Sequence, residues 1–207
     1  LNQCDLLIIL DFDDSGTYTI KLEEIVKAIN YLYSKTNIAA VFANQEGTYY
    51  DMWTLRHKNY CPNDFWVDVI KYITKRINLV DKIKPELFKE ASKNIIEKKT
   101  YIFDKKMPPI KVESAFGGFG IYKLNYALNN KRKYQGAQYI DLEFKSGEKK
   151  RIKYQQCEHV NFNQGLVDQD LELYILPNLI NRDMATNVFS PQVANGLFIG
   201  ESNEKNE

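Results

Sequence analysis

Apolar and polar positions follow three rhythms along this chain, and each predicts a different element. Leu6 to Leu10 is unbroken apolar, the pattern of a strand buried on both faces. Leu22, Ile25, Val26, Ile29 and Leu32 recur at helical spacing and predict an amphipathic helix of about three to four turns. Ile38 to Ala43 is apolar again and predicts a second buried strand. Strand, helix and strand in this order imply a parallel pair with a right-handed crossover.

Proline and glycine punctuate the rest of the chain. Pro62-Asn63-Asp64 reads as a helix start before Trp66, Val69, Ile70, Ile73 and Ile77, and Pro85 opens another helix. Beyond Pro108-Pro109 the rhythm becomes that of strands, at 110–115 and, after a double glycine, at 119–122. Ile140, Leu142 and Phe144 alternate with polar residues, as do Ile152 and Tyr154, and Ser146-Gly147 between them predicts a hairpin. After Pro177 few periodic signals remain. The expected organisation is a single domain over residues 1–197 with a disordered tail at 198–207.

Composition narrows the classes of function only slightly. The 207 residues are 44% hydrophobic and 27% charged, ordinary values for one domain with a full core, and the net charge is +1. The basic runs Lys131-Arg132-Lys133 and Lys149-Lys150-Arg151 lack interleaved aromatics, so they predict a solvated surface and no nucleic-acid partner. Cys4, Cys61 and Cys157 form no Cys-x-x-Cys pair, which fits a reducing compartment and a cytoplasmic location. No apolar stretch approaches a membrane span, and no signal peptide is visible. The chain starts at Leu1, a few residues before its first strand, as expected of a piece of a longer polypeptide.

The chemistry is concentrated where the first strand ends, at Asp11-Phe12-Asp13-Asp14. Carboxylates at i and i+2 beyond a strand point to the same side, where ligands of open α/β sheets bind. Four readings are open. In an EF-hand, Asp11, Asp13, Ser15 and Gly16 would be calcium-loop positions, but the closing position is Leu22 and the incoming segment is β-like. In a phosphatase of the haloacid dehalogenase type, Asp11 would be the nucleophile and Asp168 with Asp170 a second acidic pair. Without chemistry, the aspartates end a strand and cap a turn, the role expected of Asp14. In a nucleotide-sugar transferase, Asp11 and Asp13 hold manganese or magnesium against the donor diphosphate.

Two further segments bear on the choice. The loop 44–56 carries Tyr50, Asp51, Trp53 and Arg56, a combination of flat aromatics and charged groups suited to sugar and phosphate, although the same residues also suit a core anchor with a local Asp51–Arg56 pair. In Cys157-Glu158-His159, the imidazole could complete a manganese site and the glutamate could serve as a base. Gly117-Gly118, in Ser114 to Tyr122, allow close backbone approach by a ligand.

Taken together, Leu-Asp-Phe-Asp at 10–13, Tyr-Tyr-Asp-Met-Trp-Thr-Leu-Arg at 49–56, Ser-Ala-Phe-Gly-Gly-Phe-Gly-Ile-Tyr at 114–122 and Cys-Glu-His at 157–159 resemble the metal-dependent GT-A glycosyltransferases, in particular domains from large algal DNA viruses and from microbial surface-glycan synthesis. The Tyr-Tyr-Asp-Met-Trp segment also resembles fungal capsule-associated mannosyltransferases. The resemblance implies a three-layer, Rossmann-like, mostly parallel sheet with a small antiparallel hairpin, lacking here the nucleotide-binding strands that normally precede the Asp-x-Asp. It implies transfer of a hexose from a UDP- or GDP-sugar to a glycan acceptor, with Mn2+ or Mg2+ held by Asp11, Asp13 and His159. Asn44, Tyr50, Asp51, Trp53, Arg56, Gly117 and Gly118 would line the donor and acceptor pocket, and Glu158 or Asp51 would act as catalytic base.

Overall fold

The computed structural model describes residues 4–11, 20–99 and 101–182. The strands are β1 (Leu6–Leu10), β2 (Ile38–Gln45), β3 (Ile110–Val112), β4 (Phe119–Lys123), β5 (Ala137–Glu143), β6 (Lys149–Gln155) and β7 (Glu172–Arg182). The α-helices are α1 (Leu22–Tyr33), α2 (Phe65–Thr74), α3 (Pro85–Ile95), α4 (Leu124–Leu128) and α5 (Glu158–Val167). Among the described residues no helix is long and apolar enough to cross a membrane.

Five strands form one sheet in the order β1-β4-β2-β7-β3, and β5 pairs with β6 in a separate hairpin. This is an α/β architecture with a mixed sheet, and the expectation of a mostly parallel one is corrected. Only β2 and β7 pair in parallel; β4 is antiparallel to both β1 and β2, and β3 is antiparallel to β7. The first strand–helix–strand unit does bring β1 and β2 into the same direction, but as strands flanking a gap one strand wide. All five residues of β4 are buried, and its two edges supply hydrogen bonds to both flanks, so it fills that gap from much later in the chain.

Helices cover both faces. On one, Ala28 and Leu32 of α1 pack on Val41, Ala43, Phe119, Ile121, Leu176 and Leu179. The stripe is narrower than the spacing predicts, since Leu22 and Val26 are exposed. On the other face, Ala40, Phe42, Tyr122, Leu173 and Ile175 meet Phe65, Val69 and Ile73 of α2, Ala91 of α3 and Leu166 of α5. Asp64 caps α2 by accepting a hydrogen bond from the Trp66 amide at 2.9 Å, and Pro85 sits in the first turn of α3, both as the sequence signals. The hairpin docks Leu142 and Ile152 against Ile70 of α2. Its charged positions pair across the strands, Asp141 with Arg151 and Glu143 with Lys149, so the lysine-rich run there is a solvated ladder.

Strand β7 is the element the sequence hides. Pro177 breaks its pattern, and the β2–β7 register shows why a proline is tolerated: Phe42 pairs with Ile175 but Asn44 pairs with Ile180, so β7 bulges in between. Leu176 and Leu179 bury into the α1 side of the core, and Asn178 donates to Glu24 of α1 at 2.6 Å. The Asn44 amide nitrogen fills the gap left in the ladder by donating to the carbonyls of Pro177 (3.0 Å) and Phe103 (2.7 Å).

Helix α5 also lacks a strong apolar stripe and is held partly by polar contacts. Fully buried Asn163 donates to Ser114 Oγ (3.0 Å) and the Ala115 carbonyl (2.9 Å) and accepts from the Tyr122 hydroxyl (3.1 Å). It therefore ties α5 both to β4 and to the segment that leads into the double glycine. Asn163→Ala leaves three buried groups without partners, and urea denaturation is expected to show a loss of about 3 kcal/mol.

Candidate functional site

Because β1, β2 and β7 run in one direction and β4 runs against them, the ends of the first three and the start of the fourth meet at one edge of the sheet. Asp11 follows β1 there, Gln45 ends β2, Asn181 lies near the end of β7, and Gly117-Gly118 lead into β4. Both glycines have left-handed backbone, with φ of +65° and +79°. The Gly117 carbonyl accepts from the amides of Gln45 (2.9 Å) and Asn181, its N–H donates to Asp51 Oδ2 (2.8 Å), and the Gly118 carbonyl accepts from the Asp11 N–H (3.0 Å).

Around the bare α-carbon of Gly118 three polar groups converge. A Cβ there would lie 2.9 Å from the Tyr50 hydroxyl, 3.0 Å from Asn181 Nδ2 and 3.8 Å from Asp11 Oδ2. This combination of one carboxylate, one phenol and one amide, with no side chain in the middle, can bind a hydroxyl- or phosphate-bearing ligand close to the backbone. Oxygen donors with a formal negative charge also suit a hard divalent cation. Asp13 lies outside the described residues, as do Asp14, Ser15 and Gly16, and among the described residues no three His, Cys, Asp or Glu side chains gather where they could hold one ion.

The structure distributes the remaining candidates differently from the sequence expectation. Asp51 accepts from Thr54 Oγ1 (2.6 Å), Thr54 N (3.3 Å) and Gly117 N (2.8 Å), so both carboxylate oxygens are engaged in holding the loop and the glycine turn, and burial raises its pKa. Arg56 does not pair with Asp51. Its guanidinium bonds Asp64 at 2.7 Å, with both side chains about 5% exposed or less, and donates to the carbonyls of Trp53 and Leu55. Trp53 packs on the main core, and Asn44 is wholly inside, bridging two backbone carbonyls. Tyr50, Gly117 and Gly118 remain at the site. The Arg56–Asp64 pair costs desolvation, which the extra hydrogen bonds on both ions offset, so these two charges fasten the loop base to α2.

His159 sits in the first turn of α5, 6% exposed, its ring stacked on Phe116 at 3.9 Å. Nε2 lies 2.6 Å from the Tyr134 hydroxyl, and Nδ1 is enclosed with no partner among the described residues. Burial pushes the imidazole pKa down to about 4, so the ring is neutral at pH 7. Burial likewise pushes the Cys157 thiol up to about 12, and its Sγ rests 3.4 Å from Thr54 Oγ1, which makes it an inert packing group. Glu158 opens α5 and is partly exposed beside this cluster. Asp168 and Asp170 lie at the far end of the sheet from Asp11, next to the start of β7, and Asp168 pairs with Arg132. A strand, not a helix, enters the Asp-x-Asp segment, contrary to an EF-hand.

Four side chains at or beside the site were not among the sequence candidates: Gln45 and Thr54, although they lie in the loop 44–56, and Tyr134 and Asn181. Asn181 is hidden with β7, and Tyr134 lies in a polar stretch whose only signal is its basic run. No protein-family model matches the chain, and no curated protein matches it.

This geometry leads to two expected outcomes. A Cβ at Gly117 would meet the Ala43 carbonyl oxygen at 2.6 Å, a backbone atom, whereas that at Gly118 meets side-chain ends. Gly117→Ala should therefore destabilise by more than Gly118→Ala, each by at least about 1 kcal/mol in urea titrations because φ is positive at both. The second concerns acid. The folded His159 pKa is depressed below its ordinary 6.5, so the unfolded chain takes up the extra proton and stability falls as pH drops from about 6.5 towards 4. Denaturation curves at a series of pH values should show this slope, up to about 3 kcal/mol in total, in the wild type but not in His159→Gln.

Proposed function

We propose that the chain carries the catalytic domain of a divalent-metal-dependent glycosyltransferase, moving a hexose from a UDP- or GDP-sugar to a glycan hydroxyl. The observation that carries this reading is the grouping of the Asp11 carboxylate, Tyr50 hydroxyl and Asn181 amide around bare Gly118, at the carboxyl end of β1 and β2. This is the place where an open α/β sheet binds a nucleotide-type ligand, and the carboxylate there belongs to the Asp-x-Asp.

Asp11 with Asp13 would hold Mn2+ or Mg2+, whose charge stabilises the departing nucleoside diphosphate. The rest falls to the chain's own groups. Gly118 lets a phosphate or sugar oxygen approach the backbone, and Tyr50 and Asn181 donate hydrogen bonds that orient it. Asp51 works through the turn: by fixing the Gly117 N–H it fixes the Gly118 carbonyl, which in turn holds the Asp11 backbone. That makes Asp51 a positioning residue, and it leaves Glu158, partly exposed at the start of α5, as the carboxylate that takes the acceptor proton in an inverting route. The acceptor oxygen then bonds the anomeric carbon as the diphosphate oxygen leaves, through an oxocarbenium-like state.

The reading is tested by incubating the purified chain with manganese and a panel of UDP- and GDP-hexoses and following release of UDP or GDP. Turnover with at least one donor is expected, abolished by EDTA and reduced about 100-fold or more in Asp11→Asn. A folded chain that neither hydrolyses nor binds any donor with manganese present would sink it.

A further inference from the structure

We propose that Tyr134 is the sugar-contacting aromatic of this site and that His159 positions it, rather than serving as a metal ligand. The inference rests on the glycosyltransferase reading and deepens it.

The aromatic residues of the loop after β2 are poorly placed to meet a sugar ring. Tyr49 is fully buried, Tyr50 is half-buried and meets Gly118 with its hydroxyl, and Trp53 packs on the core with its indole N–H enclosed; outside that loop, Phe116 is buried against His159. Tyr134 is different: 49% of its surface is exposed while its hydroxyl is tied inward to His159. Its aromatic neighbours His159 and Phe162 both meet it edge-to-face, at centroid distances of 4.9 and 6.0 Å, so neither ring lies flat against it. A pyranose presents an apolar face of C–H groups with a hydroxyl rim, and a half-exposed phenol ring fixed at one end is the complementary surface.

The residue is held firmly. The strap 129–136 lies across α5 through four side-chain links besides Tyr134 itself: Asn130 Nδ2 to the Phe162 carbonyl (2.7 Å), Arg132 Nε to Asp168 (2.8 Å), Arg132 Nη1 to Gln164 (3.2 Å) and Asn161 Nδ2 to the Lys133 carbonyl (2.8 Å). Gly165 is what lets the strap lie so close, because a Cβ there would overlap Asn130 and Arg132. The strap sets Tyr134 against His159, with half of the ring still open to solvent. His159 stacks on Phe116, the residue before the glycine turn, and the carboxylates of Glu158, Asp11 and Asp51 are near enough to add to the effect of burial in opposing ionisation of the phenol. Tyr134 therefore stays a neutral hydroxyl.

The same contacts argue against His159 as a ligand. Its Nε2 is used by Tyr134, its Nδ1 is enclosed, and its ring is locked by stacking. Coordination through Nε2 would have to break the Tyr134 bond. A neutral imidazole that fixes a phenol is a hinge pin for a binding residue.

The test compares Tyr134→Phe, Tyr134→Ala, His159→Ala and His159→Gln with wild type in three titrations: manganese alone, followed by electron paramagnetic resonance of the free ion; UDP-glucose and GDP-mannose against UDP and GDP, which isolates the donor sugar; and methyl hexosides with UDP or GDP present, which isolates an acceptor sugar. Near-ultraviolet circular dichroism confirms that each variant is folded. Tyr134→Ala is expected to lose about tenfold in affinity in the donor-sugar or the acceptor-sugar arm, with manganese and free-nucleotide affinities unchanged. His159→Ala and Tyr134→Phe, which each remove the bond that fixes the phenol, should lose affinity in the same arm, while His159→Gln, which can still bond the phenol, stays within about threefold of wild type. Unchanged sugar affinity in Tyr134→Ala, or a tenfold loss of manganese affinity in His159→Ala that Tyr134→Phe does not share, would overturn the inference and leave the transferase reading standing. A wild type that binds neither manganese nor any nucleotide sugar would overturn both.

Discussion

One residue, Gly117, carries much of the order at the carboxyl edge of the sheet through the two peptide planes that it joins. Its N–H is fixed by Asp51 and its carbonyl by Gln45 and Asn181, so three separate segments, the loop after β2, the end of β2 and the end of β7, are registered against one another through it. Both of its backbone groups reach their partners in a left-handed conformation, and a side chain there would run into the Ala43 carbonyl. The adjoining Gly118 carbonyl then extends the connection to Asp11. Geometry at the candidate site is thus a property of backbone groups, with side chains serving as their partners.

Several buried polar groups lie beneath this edge, and three sets of them have a local reason. Asn163 satisfies the segment that leads into the turn, Asn44 donates to the Pro177 carbonyl where the ladder is interrupted, and Arg56 with Asp64 closes the base of the loop on α2. Such networks hold one arrangement well, since any slip leaves several groups unpaired in a low-dielectric setting. Asn44 Oδ1 and His159 Nδ1 are enclosed with no partners among the described residues, and mark where this satisfaction is incomplete.

Much of the fold was legible in the chain because local chemistry and burial agreed there. Asp64 before Trp66, Pro85, the Ser146-Gly147 hairpin and the apolar β2 all formed where their patterns put them, whereas β1 formed as an edge strand with Ile8 and Leu10 exposed and is not buried on both faces as its apolar run predicts. Two things were not legible. Pairing order was hidden because β4, which separates β1 from β2, lies far beyond β2 in sequence, and no local pattern encodes an insertion between strands. Strand β7 was hidden by Pro177, and with it Asn181. At the site, the sequence picked out Asp11, Tyr50 and the two glycines but left Trp53 and Arg56 open between ligand and structural roles, and only the resemblance put Asn44 in the pocket; a residue type shows that a charge or ring is present, while burial among distant partners decides which way it serves.

The bulge in β7 has a consequence for the site. Between Phe42 and Asn44 on β2 the partner strand passes from Ile175 to Ile180, and the surplus residues tuck Leu176 and Leu179 under α1 before the ladder resumes. The register shifts again between Asn44 and Gln45, which pair with Ile180 and Arg182, so Asn181 stands in a second irregularity opposite the end of β2. Two breaks in the ladder, and not an even run of strand, bring its amide to the Gly117 carbonyl, and the site depends on how those breaks are spaced.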